Sequence, residues 1–446
     1  LFSSMAQTFI RKTINGNQYN ILDLPRTNIF KFEVVNMYGS NIERVIEKEY
    51  GSNIYGLAHL IEHLSFRCTK DYATEDLQEL LKNEGVHNAS TNYDRINYWF
   101  KTTMDRKDLG IKLVCNYAFN DLSKLTDQEF TLEKKVVFNE AKRYADDDQT
   151  MFDFNLDPVL CGYHPEDNVI GIPATIDTFT KEIAQDIKQL FLCLGNEVCN
   201  ITYDSTCENI DTIIENIEKQ RARFVLSKNI GKYDVDSIKQ KYTQYLGSPK
   251  TGEFSVDNES EQAMTGLVID CVDNIITSRL ATAYLAHFAK NTSLTDVIRE
   301  QNGLTYGIEF EDYRLAYKPY IHFGCDVTRG TEGLLMDLFK HSINDTVDNF
   351  DTEKYDKLMK TLQLKRTMSF VNQENYESVY GTALWYPEII DQFEQDYATD
   401  MRTALDKQLD MYCNYDQIRA YMEQIRDKVN KQEYGIVRND LKEIGK

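Results

Sequence analysis

His59-Leu60-Ile61-Glu62-His63 places two imidazoles four residues apart with a carboxylate between them. On an α-helix, positions i and i+4 share one face. Both rings can then reach a single metal ion, and Glu62 can act as a base on a metal-bound water, the chemistry of a zinc hydrolase. The competing reading is a plain helix with two satisfied histidines and an exposed glutamate. The flanks weigh against it. Gly56 precedes the run, and Leu57, Ala58, Leu60, Ile61 and Leu64 give the helix a buried character. A glutamate there would be costly without chemistry or a partner.

A mononuclear catalytic zinc takes three protein ligands and leaves one position for water. Thr126-x-x-Glu129 reads as a capping box that opens a long helix through about residue 144. Glu133 and Glu140 lie two turns apart on one face of that helix. Stacked carboxylates commonly mark a solvated face, but Glu140 is also a good candidate for the third ligand.

Other elements must position these groups. Two strand-like runs, 8–14 and 17–22, flank Asn15-Gly16, a two-residue hairpin signal. Residues 29–35 form a further strand, and 74–83 a helix with Gly85 as its stop. Strands are predicted at 88–91 and 96–102. After a weakly patterned stretch, 227–261, a sheet segment at 264–271 leads into a helix at 277–290. That helix carries Leu285-Ala286-His287, an echo of Leu57-Ala58-His59, with Lys290 and Asn291 where Glu62 and His63 stand. Leu364-Lys365-Arg366 likewise echoes Ala141-Lys142-Arg143, with Gln363 in the place of Glu140. The prediction is an α+β protein of two homologous domains, each a mixed or antiparallel sheet packed with helices. The first domain, 5–226, carries the metal site; 227–261 links it to the second, 262–446, which cannot bind metal.

Composition narrows the function classes. A chain of 446 residues that is 42% hydrophobic and 27% charged can bury a sizeable core. No apolar run approaches the ~20 residues needed to cross a membrane. The start, Leu1-Phe2-Ser3-Ser4-Met5, lacks the basic end and long apolar stretch of a signal peptide, and Met5 is a candidate native start. Nine cysteines without a CxxC pair favour reduced thiols and a reducing, cytoplasmic compartment. A net charge of −21 argues against nucleic acid as a partner and permits basic ligands.

With these residues in place, the sequence resembles the M16 metallopeptidases, the insulinase, pitrilysin and mitochondrial processing peptidase family. Residues Gly56 to Phe66 are similar to that family's Gly-Leu-Ala-His-Phe-x-Glu-His-x-x-Phe signature, an inverzincin His-x-x-Glu-His motif. Glu140 sits at the family's spacing for the third zinc ligand, and Glu133 matches its glutamate that orients a histidine ligand. Asn88-Ala89-Ser90-Thr91 looks like the family's substrate-binding edge strand. Leu294 to Tyr306 resembles its Leu-Arg-Glu-x-x-Gly-Leu-x-Tyr stretch. One departure is Cys68, where many members have glycine. The stretch from about residue 387 onward shows no matching signature.

The resemblance implies a LuxS/M16 metallopeptidase fold and a zinc endopeptidase holding one Zn²⁺ per chain on His59, His63 and Glu140. Glu62 would be the general base and Glu133 would orient a histidine. Arg299 and Tyr306 would stabilise the oxyanion. Peptide or unfolded polypeptide would add as a strand along Asn88, Ala89 and Ser90, with Phe66 beside the scissile bond. The family builds a closed chamber from four α+β units. This chain has two, so the resemblance implies a homodimer, or a heterodimer with a related chain. The alternative is a weakly active or inactive peptide-binding or scaffold subunit, but the three ligands and Glu62 are all retained.

Overall fold

A computed structural model describes residues 8–224, 233–258, 262–269, 275–315, 318–369, 399–400 and 414–441. These fall into two compact units. The first contains the described residues up to Arg143, those from Glu166 to Tyr245, and 399–400; the second contains the rest.

The first unit is built on strands β1 (Thr8–Ile14), β2 (Asn17–Asp23), β3 (Ile29–Asn36), β4 (Val86–Thr91), β5 (Ile96–Thr103) and β6 (Glu197–Tyr203). The hairpin signal is borne out: Asn15 and Gly16 both have positive φ, 53° and 82°, as a tight two-residue turn requires, and β1 pairs with β2 from Thr8↔Asp23 to Ile14↔Asn17. The sheet order is β11 (Thr399–Asp400)-β1-β2-β6-β3-β5-β4. Only β2 and β6 run parallel, so the sheet is mixed. Helices α1 (Asn41–Tyr50), α2 (Leu57–Leu64), α3 (Thr74–Asn83), α4 (Lys107–Ala118) and α5 (Asp127–Ala145) accompany it. Phe30 and Phe32 from β3, Phe100 from β5, Leu60 and Leu64 from α2, and Ile111 and Val114 from α4 share one core. The helix α3 ends where expected, but Gly85 serves a second purpose. A side chain there would overlap the Lys101 carbonyl and the Phe100 ring, so glycine lets β4 start against β5.

The second unit holds a five-stranded mixed sheet in the order β7 (Gly252–Asn258)-β12 (Gly435–Leu441)-β8 (Gln262–Ile269)-β10 (Lys318–Thr328)-β9 (Glu309–Leu315). Its core gathers Leu267, Ile321 and Phe323 from the sheet with Leu285, Phe339 and Ile425 from helices. The stretch 227–261 is less featureless than its pattern predicts. A helix, Val235–Lys241, is capped by Asp234, which accepts from the Ser237 amide at 3.0 Å, and β7 pairs in parallel with β12. That pairing spans most of the second half of the chain, so local pattern cannot reveal it. Cys271 lies outside the described residues, as do Cys413 and most of the stretch after 387.

Candidate metal centre and edge strand

The helix α2 begins abruptly. Gly56, its N-cap, adopts φ 91°, a conformation open to glycine and strained for other residues. A Cβ there would also meet the Gly171 backbone at 2.5 Å. Gly56 has no capping side chain of its own. Glu43 of α1 provides the cap: its carboxylate accepts from the Ala58 amide at 2.7 Å and the Gly56 amide at 3.0 Å. Burial pushes Glu43 well above its usual range, and the two amides only partly offset this.

From that start the helix points His59, Glu62 and His63 toward one region. His59 and Glu62 are 7% and 9% exposed. The imidazoles stand edge to face, ring centres 4.8 Å apart. Glu140 reaches in from α5, with one oxygen 3.9 Å from His59 Nε2 and 3.6 Å from His63 Nε2. One ligand atom from each of the three residues lies within 4.8 Å of the others, a grouping found once among the described residues. The two histidines paired by helical spacing and the candidate third donor Glu140 thus converge in space.

The surrounding contacts define protonation. His63 Nδ1 lies 3.3 Å from Glu133 Oε2. A carboxylate only accepts, so this contact selects the tautomer with the proton on Nδ1 and the lone pair on Nε2, facing Glu140. Burial alone would lower the His63 pKa, but Glu133, Glu62 and Glu140 outweigh it and the ring sits above its ordinary value. Burial pushes His59 down to about 3, and His63 adds to this, so His59 stays neutral. Burial likewise raises Glu62; the Thr91 hydroxyl, donating to its Oε2 at 2.7 Å, partly counters that. For Glu133, burial is outweighed by His63 and by Arg67, whose guanidinium pairs with the second carboxylate oxygen.

These observations suit a divalent cation. Glu62, Glu133 and Glu140 converge on two imidazoles, with Arg67 pairing Glu133 and Arg143 approaching Glu140 at 3.9 Å from the exposed side. The lone pairs that remain on two Nε2 atoms and the Glu140 carboxylate are a nitrogen and oxygen donor set appropriate to zinc.

The strand β4 lies at the edge of its sheet and pairs only with β5 among the described residues. Asn88 is exposed, and Ala89 and Ser90 are half-buried. The Ser90 hydroxyl donates to Asn97 across the strand pair, which leaves the main chain as the open feature of this edge. Phe66 sits in an aromatic cluster, its ring 4.7 Å from that of Tyr117 and 5.9 Å from that of His87. In the second unit, Arg299 and Tyr306 come together, the guanidinium 5.1 Å from the phenol ring centre, and Tyr306 is 90% exposed.

Sequence reasoning missed Glu43, Arg67 and Thr91 as supports of this site. Arg67 had a weak signal, one helical turn beyond His63. Glu43 had none, since its role depends on how α1 meets α2. Cys68 takes φ 29°, on the positive side where glycine is at ease. Its thiol donates to Glu129 at 3.1 Å.

The two-unit α+β fold thus carries a histidine–histidine–carboxylate cluster beside β4, a sheet edge that pairs only with β5 among the described residues. The family profile for insulinase, peptidase family M16, matches residues 49–158. The zinc protease PqqE of Helicobacter pylori is 24% identical over 240 residues; the alignment covers 52% of this chain and 49% of that protein, about half the relative's length. A protease structure from Helicobacter pylori superposes with a TM-score of 0.75 at 17% identity, covering 98% of this chain and all of that one. An inactive M16 peptidase domain from Pseudomonas fluorescens gives 0.70 at 15% identity, with 99% of both chains covered. The chain is thus similar to M16 peptidases in sequence over part of its length and in fold over nearly all of it.

Proposed function

We propose that this protein is a zinc-dependent endopeptidase acting on peptides or unfolded polypeptide segments. The observation that carries this reading is the convergence of His59, His63 and Glu140 with a buried Glu62 beside them. His59 Nε2, His63 Nε2 and Glu140 would hold one zinc per chain. Bound zinc would supply Lewis acidity, polarising a peptide carbonyl and making water acidic enough to serve as a nucleophile near neutral pH. Glu62 takes the proton from the attacking water and returns it to the leaving amine. Thr91 holds the Glu62 carboxylate in place through its hydroxyl. Glu133 keeps the His63 proton on Nδ1.

Substrate adds to β4 as a further strand along Asn88, Ala89 and Ser90, by main-chain hydrogen bonds that read little side-chain identity. Phe66 lies near the entry to that strand and borders the residue at the scissile bond. Arg299 and Tyr306 furnish a cation and a phenol for the tetrahedral oxyanion. In a homodimer, the pair from one chain serves the zinc site of the other; a heterodimer with a related chain is the second arrangement. The first domain, 5–226, is then the metal-bearing half. The seven described cysteines form no disulfide with one another, which supports a reducing, cytoplasmic setting. Among the described residues, no helix is long and apolar enough to cross a membrane.

The test is Glu62→Gln assayed on an unstructured peptide. We expect cleavage to fall by about 10²–10⁴-fold with zinc content unchanged. Equal cleavage by wild type and variant would overturn the reading.

A further inference from the structure

The turn that follows α2 is fastened to α5 more firmly than a loop exit needs. The buried Asn120 side chain donates to the Ser65 carbonyl at 3.1 Å and the Arg67 carbonyl at 2.8 Å, which fixes the backbone of the turn. Two side chains of the turn then reach carboxylates one helical turn apart on α5. The Cys68 thiol donates to Glu129, and the Arg67 guanidinium to Glu133. The Glu133 carboxylate is therefore shared: one oxygen faces Arg67 and the other faces His63 Nδ1. It is 4% exposed, too buried to turn toward solvent if a partner is lost.

We infer that Arg67 is a positioning residue for the metal site, holding the Glu133 carboxylate so that it orients His63 and keeps the Nε2 lone pair aimed at Glu140. The inference rests on the proposed metal site and adds a component to it. Without Arg67, a buried carboxylate keeps a single partner and can rotate away from the orientation that holds His63. A guanidinium is suited to this task because its donors lie in a fixed plane, whereas an ammonium offers the charge without the planar fork.

The experiment measures zinc affinity of the full chain by competition with a fluorescent chelator, for wild type, Arg67→Lys, Arg67→Met, Glu133→Gln and the Arg67→Met/Glu133→Gln double variant. Circular dichroism checks that each is folded. Partners that orient a metal-binding histidine are typically worth 10–100-fold in affinity. We expect Arg67→Met to lose about tenfold or more, Arg67→Lys to recover most of it, and the double variant to bind no more weakly than Glu133→Gln alone, because Arg67 acts through Glu133. If Arg67→Met fails to fold, Arg67→Gln, which keeps a polar side chain but removes the charge, carries the same comparison with its own double variant. A second readout needs no metal. Imidazole ¹⁵N shifts of zinc-free protein should show His63 protonated on Nδ1 in wild type and a mixture of tautomers in Arg67→Met. Unchanged affinity and tautomer in Arg67→Met, or additive losses in the double variant, would overturn the inference alone. A wild-type chain that binds no zinc would overturn the proposed function and the inference with it.

Discussion

Leu-Ala-His occurs twice in this chain, and the two copies sit at opposite ends of their helices. In the first unit, Leu57 opens α2. The preceding Gly56 breaks the chain direction at φ 91°, and Glu43 satisfies the first amides. His59 therefore has a full turn of α-helix ahead of it, and His63 falls on its face. In the second unit the residue before Leu285 is Tyr284, which is fully buried and continues the helix Ile275–Ala283 into a wider π-helical turn, Tyr284–Phe288. His287 stands at the end of that turn and bonds Thr295 Oγ1 at 2.7 Å. The residue four further on, Asn291, lies beyond the helix at φ 74°. The second occurrence lacks both the α-helical geometry and the residue types of the first. The same tripeptide contributes to a histidine–histidine–carboxylate cluster only where a helix begins at it.

Gly56→Ala attacks this difference most directly. The substitution combines a strained positive φ with overlap on Gly171, and each effect alone is worth about 1–3 kcal/mol. Chemical denaturation should show a loss of about 2–4 kcal/mol. A stability within about 0.5 kcal/mol of wild type would mean that α2 does not depend on its glycine start.

Thr91→Val sharpens the comparison at the level of chemistry, since the second unit has lysine, Lys290, where Glu62 stands. Losing one hydroxyl donor to a buried carboxylate is worth about 1–1.5 kcal/mol. Turnover should fall by about tenfold while zinc content stays the same. Unchanged turnover would remove Thr91 from the account.

The smallest effect concerns the floor of α2. Lys188 is buried, and its ammonium donates to Ser65 Oγ at 3.1 Å and to the Ala118 carbonyl at 3.1 Å, beneath the C-terminal ends of α2 and α4. Burial pushes it down to about 7 from an ordinary value of 10.5. Between those two pH values the unfolded chain binds one more proton than the folded chain, so stability rises with pH. The contribution is complete above about pH 10.5, declines as pH falls, and is gone below about 7. Lys188→Met should flatten this slope, gaining on wild type at pH 6 relative to pH 9 in urea midpoints. Parallel slopes for the two proteins would contradict the assignment.

Much of the first unit was legible because its signals are local. The Asn15-Gly16 turn, the Thr126–Glu129 capping box and the apolar face of α3 each need only a few neighbouring residues. The capping box formed as read, with Thr126 and Glu129 exchanging bonds at 3.0 and 3.2 Å. The pairing of His59 and His63 was legible because i, i+4 helical spacing constrains it, and Glu140 entered as a candidate third donor that the family resemblance supported. Glu43, Arg67 and Thr91 were not legible, since each acts through a partner on another element whose position only folding supplies. The π-helical end of the second copy was hidden for a related reason. Its apolar pattern continues through Phe288, and nothing in that pattern says that the helix widens there.

The proposed function requires metal on the histidine helix of the first unit and not on that of the second. The direct measurement is the zinc content of the extensively dialysed full chain, by plasma mass spectrometry, for wild type, His59→Ala and His287→Ala. The account predicts one zinc per chain in wild type and in His287→Ala, and none in His59→Ala. Zinc-free wild type, or zinc retained by His59→Ala, would contradict it.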